Sequence, residues 1–177
     1  KRNQAEILQG YKFSINGNIK DDLCLQILTH ILGGSPSSRL FSDLREKRHL
    51  AYSVNSHYFN IDDIGVMTLA IETTANNLET GEKSYDNIEK SIKGFSENIE
   101  KIKTEKVSET ELETAKKALK TAILSNLEMN ADQTIKLSSD VTTPYGINYI
   151  NEKFDLIDSI TADDIFNTAK YGFKSNP

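Results

Sequence analysis

An arginine and a tyrosine seven residues apart, Arg45 and Tyr52, stand in the stretch richest in chemically capable groups, residues 31–58 (ILGGSPSSRLFSDLREKRHLAYSVNSHY). A guanidinium is permanently charged and offers several fixed N–H donors, which suit a peptide carbonyl or a carboxylate. A phenol can donate a hydrogen bond to the oxyanion that develops when a carbonyl is attacked. The same residue types leave a plainer role open, with Arg45 paired to Asp43 or Glu46 on a helix surface and Tyr52 packing a strand end. Metal chemistry finds no ligand set. The three histidines are His30, His49 and His57, and none begins His-x-x-Glu-His in either orientation. No helical turn therefore presents two imidazoles with a carboxylate base between them. Cys24 is the single cysteine, so a thiolate zinc site is equally out of reach. Gly33-Gly34-Ser35 lacks the Gly-Lys-Ser/Thr of a phosphate loop and the third glycine of a dinucleotide fingerprint, and reads as a helix stop. His57 reads as a polar sheet position, His49 as a turn residue and Cys24 as a small buried group.

These residues must be positioned by the elements around them. Residues 31–58 read as the end of one helix, a Gly-Gly turn, a second short helix and a strand entered through Leu50-Ala51-Tyr52. Gly33 and Gly34 supply backbone freedom for a sharp helix end. Ser37 or Ser38 is expected to cap the short helix, whose apolar side is Leu40, Phe41 and Leu44. Arg39, Arg45, Lys47 and Arg48 then form a cationic face beside the strand that carries Tyr52.

This pattern resembles the downstream, non-catalytic domain of the pitrilysin/insulinase (inverzincin) family of zinc peptidases, where LGG-x-x-SSRLF-x-x-LREK-x-x-LAYSV recurs. The resemblance implies an α+β half-domain paired with a homologous zinc-bearing half around a closed chamber. It implies further that Arg45 and Tyr52 reach across to the peptide substrate near the zinc, and that Gly33, Gly34 and Ser35 form a wall of the chamber. Zinc is expected in the partner half, in the same polypeptide or in a partner subunit, and no cofactor in this chain. By itself the chain should not hydrolyse peptides. The alternative is a non-peptidase scaffold or assembly domain of the same fold. One departure stands out: His49 and Leu50 occupy places where the family often has Gly-Leu, which costs the turn some freedom.

The rest of the chain supports such a fold. Residues 5–13 alternate as a strand and end at the turn signal Asn16-Gly17-Asn18. Asp21 and Asp22 favour a helix start, and Cys24, Ile27, Leu28 and Ile31 form one buried stripe. Residues 51–59 and 65–72 read as a hairpin with Met67, Leu69 and Ile71 on one face. Tyr85, Ile88, Ile92, Phe95, Ile99 and Ile102 predict a long amphipathic helix. Ser108 and Glu111 form a capping box for the next, continued by Leu112, Ala115, Leu119 and Ile123. A shorter helix is expected from Asn130 or Ala131 through Val141, broken at Pro144-Tyr145-Gly146. Two more follow, one carrying Ile150, Phe154 and Ile157, the other capped at Thr161 with Ile165, Phe166 and Ala169 inward. Strands followed by helices without strict βαβ alternation predict a mainly antiparallel sheet with helices on one face.

Composition sets the outer limits. The chain has 177 residues, 37% of them hydrophobic and 27% charged, within the range of a globular domain. Its formal net charge of −5, with Lys and Arg scattered among Glu and Asp, argues against a nucleic-acid partner. No apolar run approaches the ~20 residues needed to span a bilayer. One cysteine excludes an internal disulfide and leaves the compartment undecided. Residues 1–177 are expected to form one α+β domain, a fragment of a longer peptidase that lacks the final strand of its sheet.

Overall fold

A computed structural model describes residues 4–15, 18–61, 63–76, 82–126, 133, 134, 138, 141 and 149–173. In chain order these form β1 (Gln4–Ser14), α1 (Ile19–Gly33), a π-helix (Phe41–Lys47), β2 (Ala51–Ile61), β3 (Ile64–Thr74), α2 (Asp86–Thr104), α3 (Glu109–Ser125), α4 (Tyr149–Ser159) and α5 (Ala162–Gly172). The three strands make one antiparallel sheet in the order β1-β3-β2. The α+β layering expected from the sequence is what is found.

Alternation decides which face of the sheet is buried. Tyr11 of β1 and Tyr58 of β2 both register with Met67 of β3, and Ile7 and Val54 both register with Ile71. Tyr11, Phe13, Val54, Met67, Leu69 and Ile71 accordingly lie in the core, while Leu8, Phe59 and Ile61 on the opposite face are exposed. The predicted face of Met67, Leu69 and Ile71 is thus the packed one.

α1 fills the centre of the helical layer. Its first turn is capped by Asn18, whose side chain accepts from the Lys20 N–H at 2.9 Å. The expected stripe of Cys24, Ile27, Leu28 and Ile31 is buried, but so are Leu23, Leu25 and Leu32. A helix that meets β2 and β3 on one side and α3, α4 and α5 on the other has little solvent face left. Asp22 does not simply face the helix dipole. It is buried, and accepts hydrogen bonds from the Tyr58 hydroxyl at 2.5 Å, Gln26 Nε2 at 2.7 Å and Asn60 Nδ2 at 3.2 Å. That cluster ties the start of α1 to the far end of β2.

α2 is the long amphipathic helix, and its expected stripe is buried or half-buried except at Tyr85 and Ile92. Phe95, Ile99 and Ile102 are buried, whereas Ile92 and Tyr85 are exposed. Ser91, Gly94 and Asn98 occupy the buried face instead. Polar residues fit there because each finds a partner: Ser91 donates to the Asn87 carbonyl at 2.6 Å, and Asn98 to the Gly94 carbonyl at 2.9 Å and to Asp43 at 2.7 Å. Gly94 leaves room for Leu44 of the π-helix, which a Cβ there would overlap.

Capping boxes open α3 at Ser108 and Glu111, as expected, and α5 at Thr161 and Asp164. Ile157, Ile165 and Ala169 are buried; Phe154 and Phe166 are half-buried. Gln133, Thr134, Ser138 and Val141 are helical. The start of that helix, its break at Pro144-Tyr145-Gly146, the side chain of Ile150 and the turn residues Asn16 and Gly17 lie outside the described residues.

Candidate functional site

The site is built where α1 ends and β2 begins. At the end of α1, Gly33 is buried, and a Cβ on it would stand 2.6 Å from the backbone nitrogen of Ser56 and 2.8 Å from its hydroxyl. Gly34 has φ −83° and ψ −4°, an ordinary helical conformation. A Cβ there would meet His30 Nδ1 at 2.5 Å. The two glycines are therefore required for close approach and not for backbone freedom, which corrects the expectation drawn from the pair. Ser56 closes the contact from the other side by donating to the Thr29 carbonyl at 2.6 Å.

The serines that follow do not cap the next helix. No side chain caps the π-helix, Ser38 is buried with its hydroxyl unpartnered, and the hydroxyls of Ser35 and Ser37 lie 3.0 Å apart. Ser35, Ser37 and Ser38 instead line a cavity of ≈ 250 Å³ together with His30, Thr110 and Thr114. Neither Arg45 nor Tyr52 lines that cavity. The short helix is wound wide, with the Arg48 N–H donating to the Asp43 carbonyl five residues back at 3.0 Å. Wide turns of this kind are frequent at functional sites.

The three arginines of the segment behave differently. Arg39 donates through Nε and Nη2 to the two carboxylate oxygens of Glu111, at 2.8 and 3.1 Å. Arg48 makes the same fork with Asp43, at 3.0 and 2.8 Å, and reaches Glu97 at 2.6 Å. Bidentate pairs of this kind fix both orientation and charge. Arg39 and Arg48 thereby lock the π-helix to α3 and α2. Arg45 has no such clamp: its ion pair with Glu46 spans 3.7 Å, and its side chain is 37% exposed. Its Cζ lies 4.4 Å from the ring centroid of Phe41 and 5.4 Å from that of Tyr52.

Tyr52 reaches that position through a β-bulge. Ala51 opposes Thr73 and Ser53 opposes Glu72, so Tyr52 is the extra residue between them. By sequence parity it would share the inward face with Val54 and Ser56, both of which are buried. The bulge turns it outward, and it is 80% exposed. Bulges re-aim side chains in this way beside active sites. Two further features hold the corner. His49 adopts a positive φ of 53°, and the Leu50 carbonyl accepts from Thr73 Oγ1 at 2.6 Å. The structure thus brings Arg45 and Tyr52 together at an open surface. Of the plainer arrangement, the Asp43 partner is taken by Arg48, the Glu46 partner is present only as a loose, exposed pair at 3.7 Å, and Tyr52 is exposed instead of packed. Phe41, classed from sequence only as an apolar position, belongs to the same group.

Electrostatics sharpen the division between anchors and open groups. The Arg39 hydrogen bonds hold the Glu111 carboxyl at about 2, with the Ser108 cap adding to the effect against the cost of burial. Burial pushes the Cys24 thiol up to about 12, which leaves it unreactive, and pushes the His30 imidazole down. His57 is exposed on the open sheet face, opposite Thr68. Among the described residues no three His, Cys, Asp or Glu side chains gather as a metal site, so the donor set present does not fit a zinc ion. No helix among them is long and apolar enough to cross a membrane.

With this geometry in view, comparison with known proteins gives the class. Residues 1–119 match the family model of the peptidase M16 inactive domain, and the chain belongs to that family. It is 34% identical over 176 residues to an uncharacterized zinc protease of Rickettsia felis, covering 97% of this chain and 39% of that relative. The chain thus spans about two-fifths of the length of the curated relatives it matches over nearly all its length. Its fold is similar to that of a protease from Helicobacter pylori (TM-score 0.76, 24% identity, 98% of this chain and 39% of that one). It is equally similar to a chain of complex III2 from Candida albicans (TM-score 0.77, 18% identity, 97% of this chain and 40% of that one).

Proposed function

We propose that this chain is the non-catalytic half of a zinc-dependent peptidase, which closes the substrate chamber and lends Arg45 and Tyr52 to the peptide. The observation that carries this is the bulge. The register shift exposes a tyrosine beside an arginine that no carboxylate fork holds, and the two groups together suit a peptide under attack. In-plane N–H donors of Arg45 grip a carbonyl or carboxylate of the substrate. The Tyr52 hydroxyl donates to the oxygen on which negative charge develops. Gly33, Gly34 and Ser35 shape the neighbouring wall, Gly33 by bringing α1 onto β2 and not by touching substrate. The zinc that activates water belongs to a homologous partner half, in the same polypeptide or another, since the described residues gather no ligand set for it. The peptide runs between the halves, and residues 1–177 act as one unit in that assembly.

The test uses the complete protein with its zinc-bearing half. Peptide cleavage is compared for wild type, Arg45→Ala and Tyr52→Phe, with zinc content measured in each. Loss of an oxyanion donor costs about a hundred- to thousandfold in rate. A fall of that size in Tyr52→Phe with zinc retained supports the proposal; unchanged rates in both variants overturn it.

A second reading is a scaffold without peptidase function. The similarity in fold to a chain of complex III2 favours it, because that chain is part of a complex. A wild-type protein that cleaves no peptide while binding partner subunits stably would select this reading.

A further inference from the structure

We infer that Phe41 is a positioning residue, whose ring holds the Arg45 guanidinium in the orientation that meets a bound peptide. This rests on the substrate-binding role proposed above for Arg45. A guanidinium on a long flexible stem loses rotamer freedom whenever it is fixed, and each immobilised side chain of this type weakens binding. Arg39 and Arg48 are pre-fixed by carboxylate forks, which occupy their in-plane donors. Arg45 is fixed in another way. Phe41 stands 4.4 Å from its Cζ, well within the ~6 Å over which a ring face attracts a cation.

Stacking on a ring uses the face of the guanidinium and leaves its edge donors available. That is the arrangement a peptide-gripping arginine needs, and a carboxylate clamp would defeat it. Phe41 is suited to the task because it is itself held. It is half-buried, packs against the hydrophobic core and sits in the π-helix that Arg39 and Arg48 lock in place. Tyr52 also faces Arg45, at 5.4 Å, but is 80% exposed and is a looser support. Glu46, 61% exposed and 3.7 Å from Arg45 Nε, is weaker still.

The experiment again uses the complete protein with its zinc-bearing half. Steady-state cleavage of one peptide is measured for wild type, Phe41→Leu, Phe41→Tyr, Arg45→Ala and the Phe41→Leu/Arg45→Ala double variant. Melting temperature and zinc content are recorded for each. Phe41→Leu keeps an apolar packing group and removes the ring face. The expected result is a KM raised about three- to thirtyfold with kcat little changed. Phe41→Tyr restores wild-type KM, and the double variant is no worse than Arg45→Ala alone. A second readout needs no turnover. The Arg45 δ-methylene protons carry an upfield ring-current shift in wild type and Phe41→Tyr that shrinks in Phe41→Leu, where only the more distant Tyr52 ring remains.

A KM unchanged in Phe41→Leu, where Arg45→Ala raises it, overturns the positioning role and leaves the substrate-binding reading standing. An Arg45→Ala variant that itself cleaves with wild-type KM overturns that reading, and the positioning role falls with it. Should Phe41→Leu fail to fold, the absence of an upfield Arg45 shift in wild type overturns the role directly.

Discussion

Replacing Glu111 by Gln isolates the charge that ties α3 to the start of the π-helix. Gln keeps the capping-box geometry, because an amide oxygen can still accept from the Ser108 N–H. What it loses is the charge-assisted fork with Arg39, at 2.8 and 3.1 Å. In the folded chain the Glu111 carboxyl is held at about 2 rather than the ordinary 4.5. At roughly 1.36 kcal/mol per pH unit, a fully shielded group would contribute about 3 kcal/mol. The side chain is 35% exposed, however, and solvent screening reduces this to about 1–2 kcal/mol. The sign follows from linkage: a depressed carboxyl stabilises the fold above its unfolded value of 4.5, and the contribution disappears as pH falls towards 2. Urea unfolding of wild type and Glu111→Gln, run at several pH values between 7 and 2, measures it. The variant should be less stable by about 1–2 kcal/mol at pH 7, with the difference closing as the carboxyl protonates. A difference that persists undiminished at the acid end, or none at pH 7, would refute the charge-pair origin.

Two other substitutions test the corner itself. His49→Gly removes the left-handed strain at φ 53°, worth about 1–2 kcal/mol, against about 0.5–1 kcal/mol of added unfolded-state freedom. Calorimetry should show a melting temperature about 1–3 °C higher, and a lower one would mean that His49 makes a compensating contact. Gly33→Ala places a methyl 2.6 Å from the Ser56 backbone nitrogen, which cannot rotate aside. It should destabilise by about 1–3 kcal/mol in urea unfolding, and a neutral effect would show that α1 and β2 can separate freely.

The sheet, the caps of α3 and α5 and the core stripe were legible because each is written locally. Alternation set the buried face of β3, and Ser108 with Glu111 announced the start of α3 three residues ahead. The family motif in 31–58 pointed to Arg45 and Tyr52 as a pair, but not to how they meet. The bulge at Tyr52 depends on where Thr73 binds the Leu50 carbonyl across the sheet, and parity alone would have buried the tyrosine. The fork between Arg39 and Glu111 joins residues 72 positions apart, so nothing in either neighbourhood reveals it. Ile92 misled for a related reason. Its spacing fits the apolar stripe, yet Gly94 and Asn98 take the contacts with the π-helix and Ile92 is left exposed. The twin glycines suggested backbone freedom, whereas packing against Ser56 and His30 is what requires them.

The most direct measurement is a structure of the complete protein, zinc-bearing half included, with a phosphonate peptide that imitates the tetrahedral species of hydrolysis. The Tyr52 hydroxyl should lie ~2.7–3.1 Å from a phosphonate oxygen, with Arg45 donating to the peptide beside it. A bound peptide that leaves Arg45 and Tyr52 facing solvent would contradict their role and favour the scaffold.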